Sequence, residues 1–171
     1  NGLPFLDVYM ADTDSSGKLL NVESFSKEIN KKFHEGPAVI SSDSTTIFYT
    51  RSNYEGKDSK GVVKLKLYSA TKKGDDWSQI DGFAFNSDDY SVGHATLSSD
   101  AKTLYFASDM PGGIGGIDIY KSVKNEDGTW GNPENLGKPI NTEGNEMFPF
   151  YHEDGMLFFA SNGLPGLGGL D

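Results

Sequence analysis

The feature that most constrains the fold is a short pattern that recurs three times along the chain. Each copy has an apolar run rich in aromatic residues, then a loop, then a second apolar run. The fullest copy spans residues 104–120, where the loop is rich in glycine, and its relatives begin at residues 47 and 157. Short apolar runs predict buried β-strands, and glycines between them permit tight loops. The chain is therefore predicted to be built from a repeated strand–loop–strand unit.

The repeat extends well beyond that pattern. The outer copies keep register without a gap, so that Asp7-Val-Tyr9 corresponds to Asp118-Ile-Tyr120 and Glu35 corresponds to Glu146. Aspartates in predicted turns mark equivalent points of the three copies at Asp43, Asp100 and Asp154. Agreement at so many positions establishes an internal repeat. The sequence predicts a single partial domain of three repeats, approximately 1–52, 53–109 and 110–171.

Each unit is predicted to contain four strands. In the middle of the chain these strands are residues 94–98, 103–108, 117–123 and a segment around 130–136, separated by turn sequences rich in Ser, Asp, Asn and Gly. Four antiparallel strands in about 40 to 55 residues are typical of a β-propeller blade. The predicted fold is all-β: about three four-stranded blades of a larger, six-bladed ring.

One segment has the spacing of an amphipathic helix, because its apolar residues from Val22 to Phe33 lie three or four apart. Its gapless counterpart, residues 132–147, contains Gly137, Pro139 and Gly144, which a helix tolerates poorly. We therefore predict that residues 22–33 are extended.

Composition excludes several classes of partner. The formal net charge of −10 argues against nucleic acid and against an anionic membrane surface, since both attract basic proteins. The chain has no cysteine, which excludes disulfides and thiol chemistry. No apolar run approaches the roughly 18 residues of a membrane helix, so direct membrane insertion is not expected.

The first four residues repeat residues 162–165, both reading Asn-Gly-Leu-Pro, so the chain begins and ends at the same point of the unit. Known propellers close with about 4–8 blades, so three repeats are expected not to close alone. We expect a segment of a longer protein, with the missing blades closing the ring. The alternative is closure by a second chain, as two three-blade halves.

Three segments carry a family resemblance: residues 98–109, Gly115-Gly-Ile-Asp-Ile-Tyr120 and residues 135–146. They resemble the TolB-type, WD-like propeller repeats of Bacteroidota envelope proteins. In that family the repeats commonly precede an OmpA-like peptidoglycan-binding domain, and some members belong to the type IX secretion machinery. The resemblance implies a periplasmic or outer-membrane-associated protein. Its implied partners are an envelope protein or a peptidoglycan-associated assembly.

Propeller geometry places the loop between the second and third strands on the same face as the blade-to-blade loops, where propellers usually bind ligands. The residues predicted to form a binding rim there are Asn30, His34, Glu35, Arg51, Asn53, Asp88, Asp89, His94, Asp109, Asn141, Glu143, Asn145, Glu146 and Asn162. An acidic and amide-rich rim suits a cation, basic groups or hydroxyl-rich groups. The alternative is that these Asn and Asp side chains satisfy turn backbones, which is their more common role.

Residues 12–23 match a calcium-loop pattern, in which the side-chain ligands would be Asp12, Asp14, Ser16 and Glu23. No helix is predicted before the loop, and its equivalent at residues 123–134 lacks the first two aspartates. A hairpin turn is the better interpretation, with a surface calcium ion as the alternative. No other cofactor is predicted.

Catalytic patterns are scarce. His34-Glu35 lacks the second histidine of a zinc-protease motif, and the glycines at 112–116 lack the Lys-Ser/Thr ending of a phosphate loop. Glu35 and Glu146 match each other through the repeat, which favours a structural role. We predict a non-catalytic protein- or cell-wall-binding scaffold module. The alternative is the propeller of a hydrolase, either a glycosidase with acids at the channel or a propeller that gates a peptidase.

Overall fold

The computed structural model describes residues 5–52 and 56–171, and every regular element in these two ranges is a β-strand. The twelve strands are β1 (Tyr9–Thr13), β2 (Leu19–Ser24), β3 (Glu35–Ile40), β4 (Thr46–Ser52), β5 (Leu65–Lys73), β6 (Asp76–Gly82), β7 (Val92–Leu97), β8 (Thr103–Ser108), β9 (Asp118–Val123), β10 (Glu134–Asn135), β11 (Glu146–Tyr151) and β12 (Leu157–Ser161). The all-β prediction is confirmed.

The strands form four antiparallel sheets that follow one another along the chain. β3–β6 form one four-stranded sheet and β7–β10 a second, here called the first and second full blades. They are flanked by two-stranded sheets, the first half-blade (β1–β2) and the last half-blade (β11–β12). The inner strands β3, β7 and β11 pack side by side. The four-stranded antiparallel unit predicted from the sequence is therefore confirmed in both full blades.

The predicted strands of the middle repeat agree closely with β7, β8 and β9, whereas the fourth strand is shorter. Only Glu134 and Asn135 pair with β9, and an isolated bridge joins Lys124 to Trp130. The segment from 22 to 33 is not a helix: β2 ends at Ser24, and one turn follows in which the Asn30 N–H donates to the Ser26 carbonyl. The counterpart turn joins Asn141 to Gly137.

The core lies between neighbouring blades. One cluster joins the two full blades and includes Phe48, Leu67, Leu97 and Phe106. A second cluster lies between the first half-blade and the first full blade, where Phe25 contacts Trp77 at 5.4 Å between ring centroids. Burial of these aromatic and aliphatic side chains drives the blades together. The alternating apolar residues of each strand thus serve two blade-to-blade contacts, one on each face.

Glycine permits two close approaches that hold this arrangement. A Cβ on Gly93 would lie 2.7 Å from Cγ2 of Thr50, in the neighbouring blade. A Cβ on Gly115 would overlap the carbonyl oxygen of Thr142. The glycine-rich loop at 112–116 therefore packs directly on the backbone of a blade-to-blade loop. No helix in the described ranges is long and apolar enough to cross a membrane.

Candidate binding face

Two kinds of loop meet on one face of the molecule, as blade geometry predicts. The hinges, which join the second and third strands of a blade, contact the crossings, which join one blade to the next. The Gly116 N–H of one hinge donates to the Gly144 carbonyl of a crossing at 2.8 Å, and Lys64 Nζ of one hinge donates to Asp109 of the next hinge at 3.0 Å. Hinges and crossings therefore form a single surface, here called the loop face.

Three asparagines of the crossings make the same contact in successive sheets. Asn30, Asn86 and Asn141 each accept from a backbone N–H and donate to the carbonyl of that same residue, at 2.8–2.9 Å. Their partners are Val8, just before β1, Leu67 in β5 and Ile119 in β9, which occupy equivalent positions in the repeat. The amide thus pairs with the backbone as another strand would. Two of the predicted binding residues, Asn30 and Asn141, have their amides engaged in this way.

A second repeated contact joins each hinge to the crossing beside it. The residue at the end of the second strand accepts a hydrogen bond from a crossing backbone N–H. The pairs are Ser52 with His34 at 3.1 Å, Asp109 with Ser91 at 2.5 Å, and Asn162 with Asn145 at 2.7 Å. Asn145 Oδ1 also accepts from the Ile117 N–H at 3.1 Å. Predicted rim residues Asp109, Asn145 and Asn162 therefore hold the loops together.

Glu146 opens β11 and is fully buried. Its carboxylate accepts three hydrogen bonds: from the backbone N–H of Thr142 at 2.9 Å, from the Thr142 hydroxyl at 2.7 Å and from the Ser161 hydroxyl at 2.6 Å. A buried carboxylate is tolerated when such donors surround it. All three donors belong to the same blade or its crossing, so this carboxylate fixes the crossing on the strand.

Glu35 opens β3 and is buried in a different way. Its Oε1 accepts from Arg51 Nε at 3.0 Å, and Arg51 also donates to the Ile29 carbonyl at 2.7 Å. The guanidinium lies 5.0–5.5 Å from the ring centroids of Phe33, Tyr49 and Tyr68. Cation–π contacts and the ion pair together stabilise this buried charge.

Oxygen Oε2 of Glu35 has no hydrogen-bond partner among the described residues. Burial raises the pKa of Glu35 above its usual value, and the charge of Arg51 opposes that rise. The backbone N–H of Lys31 also lowers the pKa of Glu35, although this N–H does not form a hydrogen bond with Oε2. Burial likewise raises the pKa of the neighbouring Tyr49 hydroxyl to about 12.

The exposed carboxylates of the loop face are fewer than the predicted rim suggests. Asp88 pairs with Lys66, while Asp89 and Glu143 are exposed. The first crossing carries exposed Lys31 and Lys32, so the acidic character is confined to the second and third crossings. His34 accepts from the Leu6 N–H through Nδ1 at 3.1 Å. Asn53 lies outside the described residues.

The inner strands contain a set of three equivalent residues, and the rim prediction included only one of them, His94. Each strand has an irregular register within its first five residues, which places Pro37, His94 and Phe148 at equivalent positions beside the channel. The His94 ring stacks on Phe148 with centroids 4.3 Å apart. Burial lowers the pKa of His94, so the ring stays neutral through a wider pH range. Aligning the three inner strands in the sequence would have found this set.

These three residues line a groove of about 290 Å³. His94 Nδ1 has no partner among the residues that the structure describes. The backbone N–H of His94 donates to the Thr50 hydroxyl at 2.8 Å, which fixes the ring beside the groove. The groove is lined mainly by apolar side chains, and Nδ1 of His94 is itself buried from solvent.

The calcium-loop residues form a hairpin turn. Asp14 Oδ1 accepts from the backbone N–H groups of Ser16 and Lys18 and from the Ser16 hydroxyl, at 2.7–3.0 Å. These bonds lower the pKa of Asp14. Asp12 accepts from Asn21, and Glu23 lies on the exposed β2. Within residues 5–52 and 56–171, no three acidic or histidine side chains come together to hold a metal ion.

The glycine loop is already filled by a side chain of the chain itself. The buried Asp118 accepts from the backbone N–H groups of Ile114 at 2.5 Å and Gly115 at 3.2 Å, and from Asn135 at 2.8 Å. Asp171 accepts from Gly168 at 2.7 Å in the equivalent loop. The N–H groups that a bound phosphate would need therefore bind an aspartate that recurs in the repeat.

Comparison with known proteins supports the architecture. No family model and no curated protein matches the chain. Among solved structures, the crystal structure of TolB from Acinetobacter baumannii is similar, with a TM-score of 0.52 and 16% sequence identity. The match covers 96% of this chain and 37% of that one. The chain therefore has a TolB-like β-propeller fold, and it spans little more than a third of the length of that relative.

Proposed function

We propose that the chain is a non-catalytic binding or scaffold module of a bacterial envelope protein, which presents its loop face to a protein partner or to cell-wall material. The observation that carries this proposal is the use of the polar residues on that face. Most of the carboxylates and amides are engaged in hydrogen bonds or ion pairs that hold hinges and crossings. Loops held in this way form a preorganised binding surface.

The same observation speaks against a hydrolase. A pair of catalytic carboxylates must reach a substrate and titrate in its presence. Glu35 is covered by Arg51, and Glu146 is fully buried under donors from its own blade. The loop face therefore supports binding better than bond cleavage.

The envelope location rests on the resemblance of residues 98–109, 115–120 and 135–146 to TolB-type repeats. The TolB-like fold supports that resemblance. We extend the proposal to the family's setting in Bacteroidota: the periplasm or outer membrane, upstream of an OmpA-like domain, with type IX secretion proteins among the relatives.

Co-sedimentation with purified peptidoglycan, and photo-crosslinking in cell-envelope preparations, test the proposal. We expect either sedimentation with peptidoglycan or a discrete crosslink from a photoreactive residue at position 89 or 143. The double variant Asp89→Lys/Glu143→Lys should weaken that binding. Glu126→Lys, a change of charge at an exposed hairpin on the opposite face, should not. Release of soluble peptidoglycan fragments, or equal loss with Glu126→Lys, would contradict the proposal.

A further inference from the structure

The residue just before each inner strand makes two contacts. These residues are His34, Ser91 and Asn145, which precede β3, β7 and β11 respectively. The backbone N–H of each donates to a side chain at the end of the second strand of its own blade. Its own side chain accepts from the backbone of the preceding blade. Each of these residues therefore joins two neighbouring blades on the loop face.

The side-chain contact, here called the clasp, has the same geometry in all three places. The donor is in each case a backbone N–H at the point where a hinge meets the third strand of the preceding blade. The donor–acceptor pairs are Leu6 with His34 Nδ1 at 3.1 Å, Leu65 with the Ser91 hydroxyl at 3.2 Å, and Ile117 with Asn145 Oδ1 at 3.1 Å. The clasp therefore belongs to the repeat, and only the chemistry of its acceptor varies.

The three acceptors respond differently to protons. The oxygens of Ser91 and Asn145 accept a hydrogen bond in acid as they do at neutral pH, whereas an imidazole nitrogen accepts only while the ring is neutral. In the charged ring both nitrogens donate, so turning the ring cannot restore an acceptor. Histidine is the side chain that ordinarily changes charge between about pH 5 and pH 8. The clasp at His34 is therefore the one of the three that mild acid can open.

The surroundings of His34 allow protonation but offer no compensating acceptor. The residue is partly buried, and its ring lies T-shaped against Phe5 with centroids 5.4 Å apart, so solvent reaches it. The charged groups on the elements around the ring are Asp7, Lys31, Lys32, Glu35 and Arg51. Glu35 is already paired with Arg51, and among the residues that the structure describes no carboxylate forms an ion pair with His34. A proton on the ring therefore removes the clasp without creating a new contact.

We propose that His34 is a pH-sensitive clasp of the loop face. At neutral pH its Nδ1 holds the backbone of Leu6 and fixes the hinge on the first crossing. Protonation puts an N–H of the ring opposite the N–H of Leu6, and the clasp opens. The His34 N–H still donates to Ser52, and the Leu6 carbonyl still accepts from the Glu35 N–H at 2.7 Å. The crossing and β1 thus stay in place, while Phe5 and the Leu6 amide are released.

The inference goes beyond the proposed binding role and does not rest on it. The exposed acids Asp89 and Glu143 lie in the second and third crossings, whose clasps have neutral oxygens as acceptors. Opening of the clasp at His34 should therefore reshape the first crossing alone. A clasp that opens in a chain that binds no partner would contradict the proposed function and leave this inference intact.

Amide hydrogen exchange, followed by NMR between about pH 8 and about pH 5, tests the clasp. Each rate is compared with that of an unstructured chain at the same pH, because exchange itself depends on pH. Protection of the Leu6 amide should fall about 5-fold as the ring protons of His34 titrate. The amides of Leu65 and Ile117, in the other two clasps, should keep their protection in the same sample. Unchanged protection at Leu6, or equal loss at all three amides, would overturn the proposal.

Replacing the histidine with the acceptors that the other clasps use gives the sharpest result. His34→Asn and His34→Ser should each protect the Leu6 amide at neutral pH and should protect it equally in acid. His152→Asn is the control, because His152 Nδ1 also accepts from a backbone N–H, at 3.2 Å, but in a turn on the opposite face. It should leave the pH response of Leu6 unchanged. A response that survives both His34 variants or disappears with His152→Asn, or failure of both His34 variants to protect Leu6 at neutral pH, would overturn the proposal.

Discussion

Glu35 and Glu146 occupy the same place in the repeat and are both buried, yet they are satisfied by different chemistry. Glu146 takes three hydrogen bonds from Thr142 and Ser161. Glu35 has a charged partner, Arg51, opposite it in the strand pair. In the second full blade the equivalent pair is Val92 with Ser108, and neither residue is charged. The position therefore requires a buried side chain, and the neighbouring strand and crossing decide whether a carboxylate can be held there.

The two carboxylates therefore differ in how much stability is lost when one of their partners is removed. The donors to Glu146 are neutral, so removing one leaves the others in place. Glu35 depends on a single cation whose own side chain is nine-tenths buried. Breaking a buried ion pair by removing one partner is far more destabilising than losing one neutral hydrogen bond, because an uncompensated charge stays behind.

The largest expected effect is therefore that of Arg51→Ala. The change leaves Glu35 buried without its cation and removes the guanidinium from three aromatic rings, at a cost of about 3–5 kcal/mol in the free energy of unfolding. Urea denaturation at neutral pH measures it. The double variant Arg51→Met/Glu35→Gln should recover most of the loss, because it removes both charges. A cost below about 1 kcal/mol for Arg51→Ala would show that the pair is not buried as described.

A smaller effect is expected at the neutral site. Glu146→Ala should cost about 2–3 kcal/mol, because Thr142 and Ser161 lose their acceptor in a buried place. Glu146→Gln should cost only about 1 kcal/mol, since its amide oxygen still accepts from two donors. Thermal unfolding of both variants tests this order. The comparison fails if Glu146→Gln costs as much as Arg51→Ala.

The sequence predicts the repeat and its strands well, because both depend on short-range patterns. The apolar runs became β7, β8 and β9, and the turn aspartates bind their own turns: Asp100 accepts from the Ser98 hydroxyl at 2.6 Å and the Lys102 N–H at 3.0 Å. The prediction that residues 22–33 are extended was correct only up to Ser24, because the residues that follow form a turn.

The roles of polar residues on the loop face were harder to predict. An asparagine that binds the backbone of the next strand and one that binds a ligand look the same in a sequence. Asn141 lies 22 residues from the Ile119 backbone that it pairs with, and only the fold brings them together. The repeat itself was the useful signal, since a residue present in equivalent places usually supports the blade. The repeat did not reveal the ion pair between Glu35 and Arg51, because the arginine is present in one blade alone.

The repeated asparagines allow a matched test of that lesson. Asn141→Ala should cost about 2 kcal/mol, because Asn141 is fully buried and its loss leaves the Ile119 N–H and carbonyl unpaired. Asn30→Ala should cost about 1 kcal/mol, because Asn30 is less buried and water can replace its amide. Chemical denaturation of the two variants should preserve this order. A larger cost for Asn30→Ala than for Asn141→Ala would mean that burial of the asparagine does not determine its contribution to stability.

The smallest expected effect concerns protonation, and it distinguishes a buried carboxylate from exposed ones. Burial raises the pKa of Glu35 above 4.5, whereas hydrogen bonds from Ser98 and Lys102 hold the pKa of Asp100 below 3.8. The pKa of Asp43 is lowered in the same way by Ser41 and Thr45. Carboxyl chemical shifts followed by NMR between about pH 2 and pH 7 would measure these pKa values.

The two shifts have opposite consequences for stability. The stability contributed by Asp100 and Asp43 is present above their unfolded pKa near 3.8 and is lost as the pH falls through their lower folded pKa. Glu35 binds its proton more readily in the folded state, so its protonation favours folding at low pH and that gain is lost as the pH rises through its folded pKa. Asp100→Asn should therefore reduce the loss of stability below about pH 4. Glu35→Gln should instead change the slope above that pH, and identical pH profiles for the two variants would show that the carboxylates are not distinguished by burial.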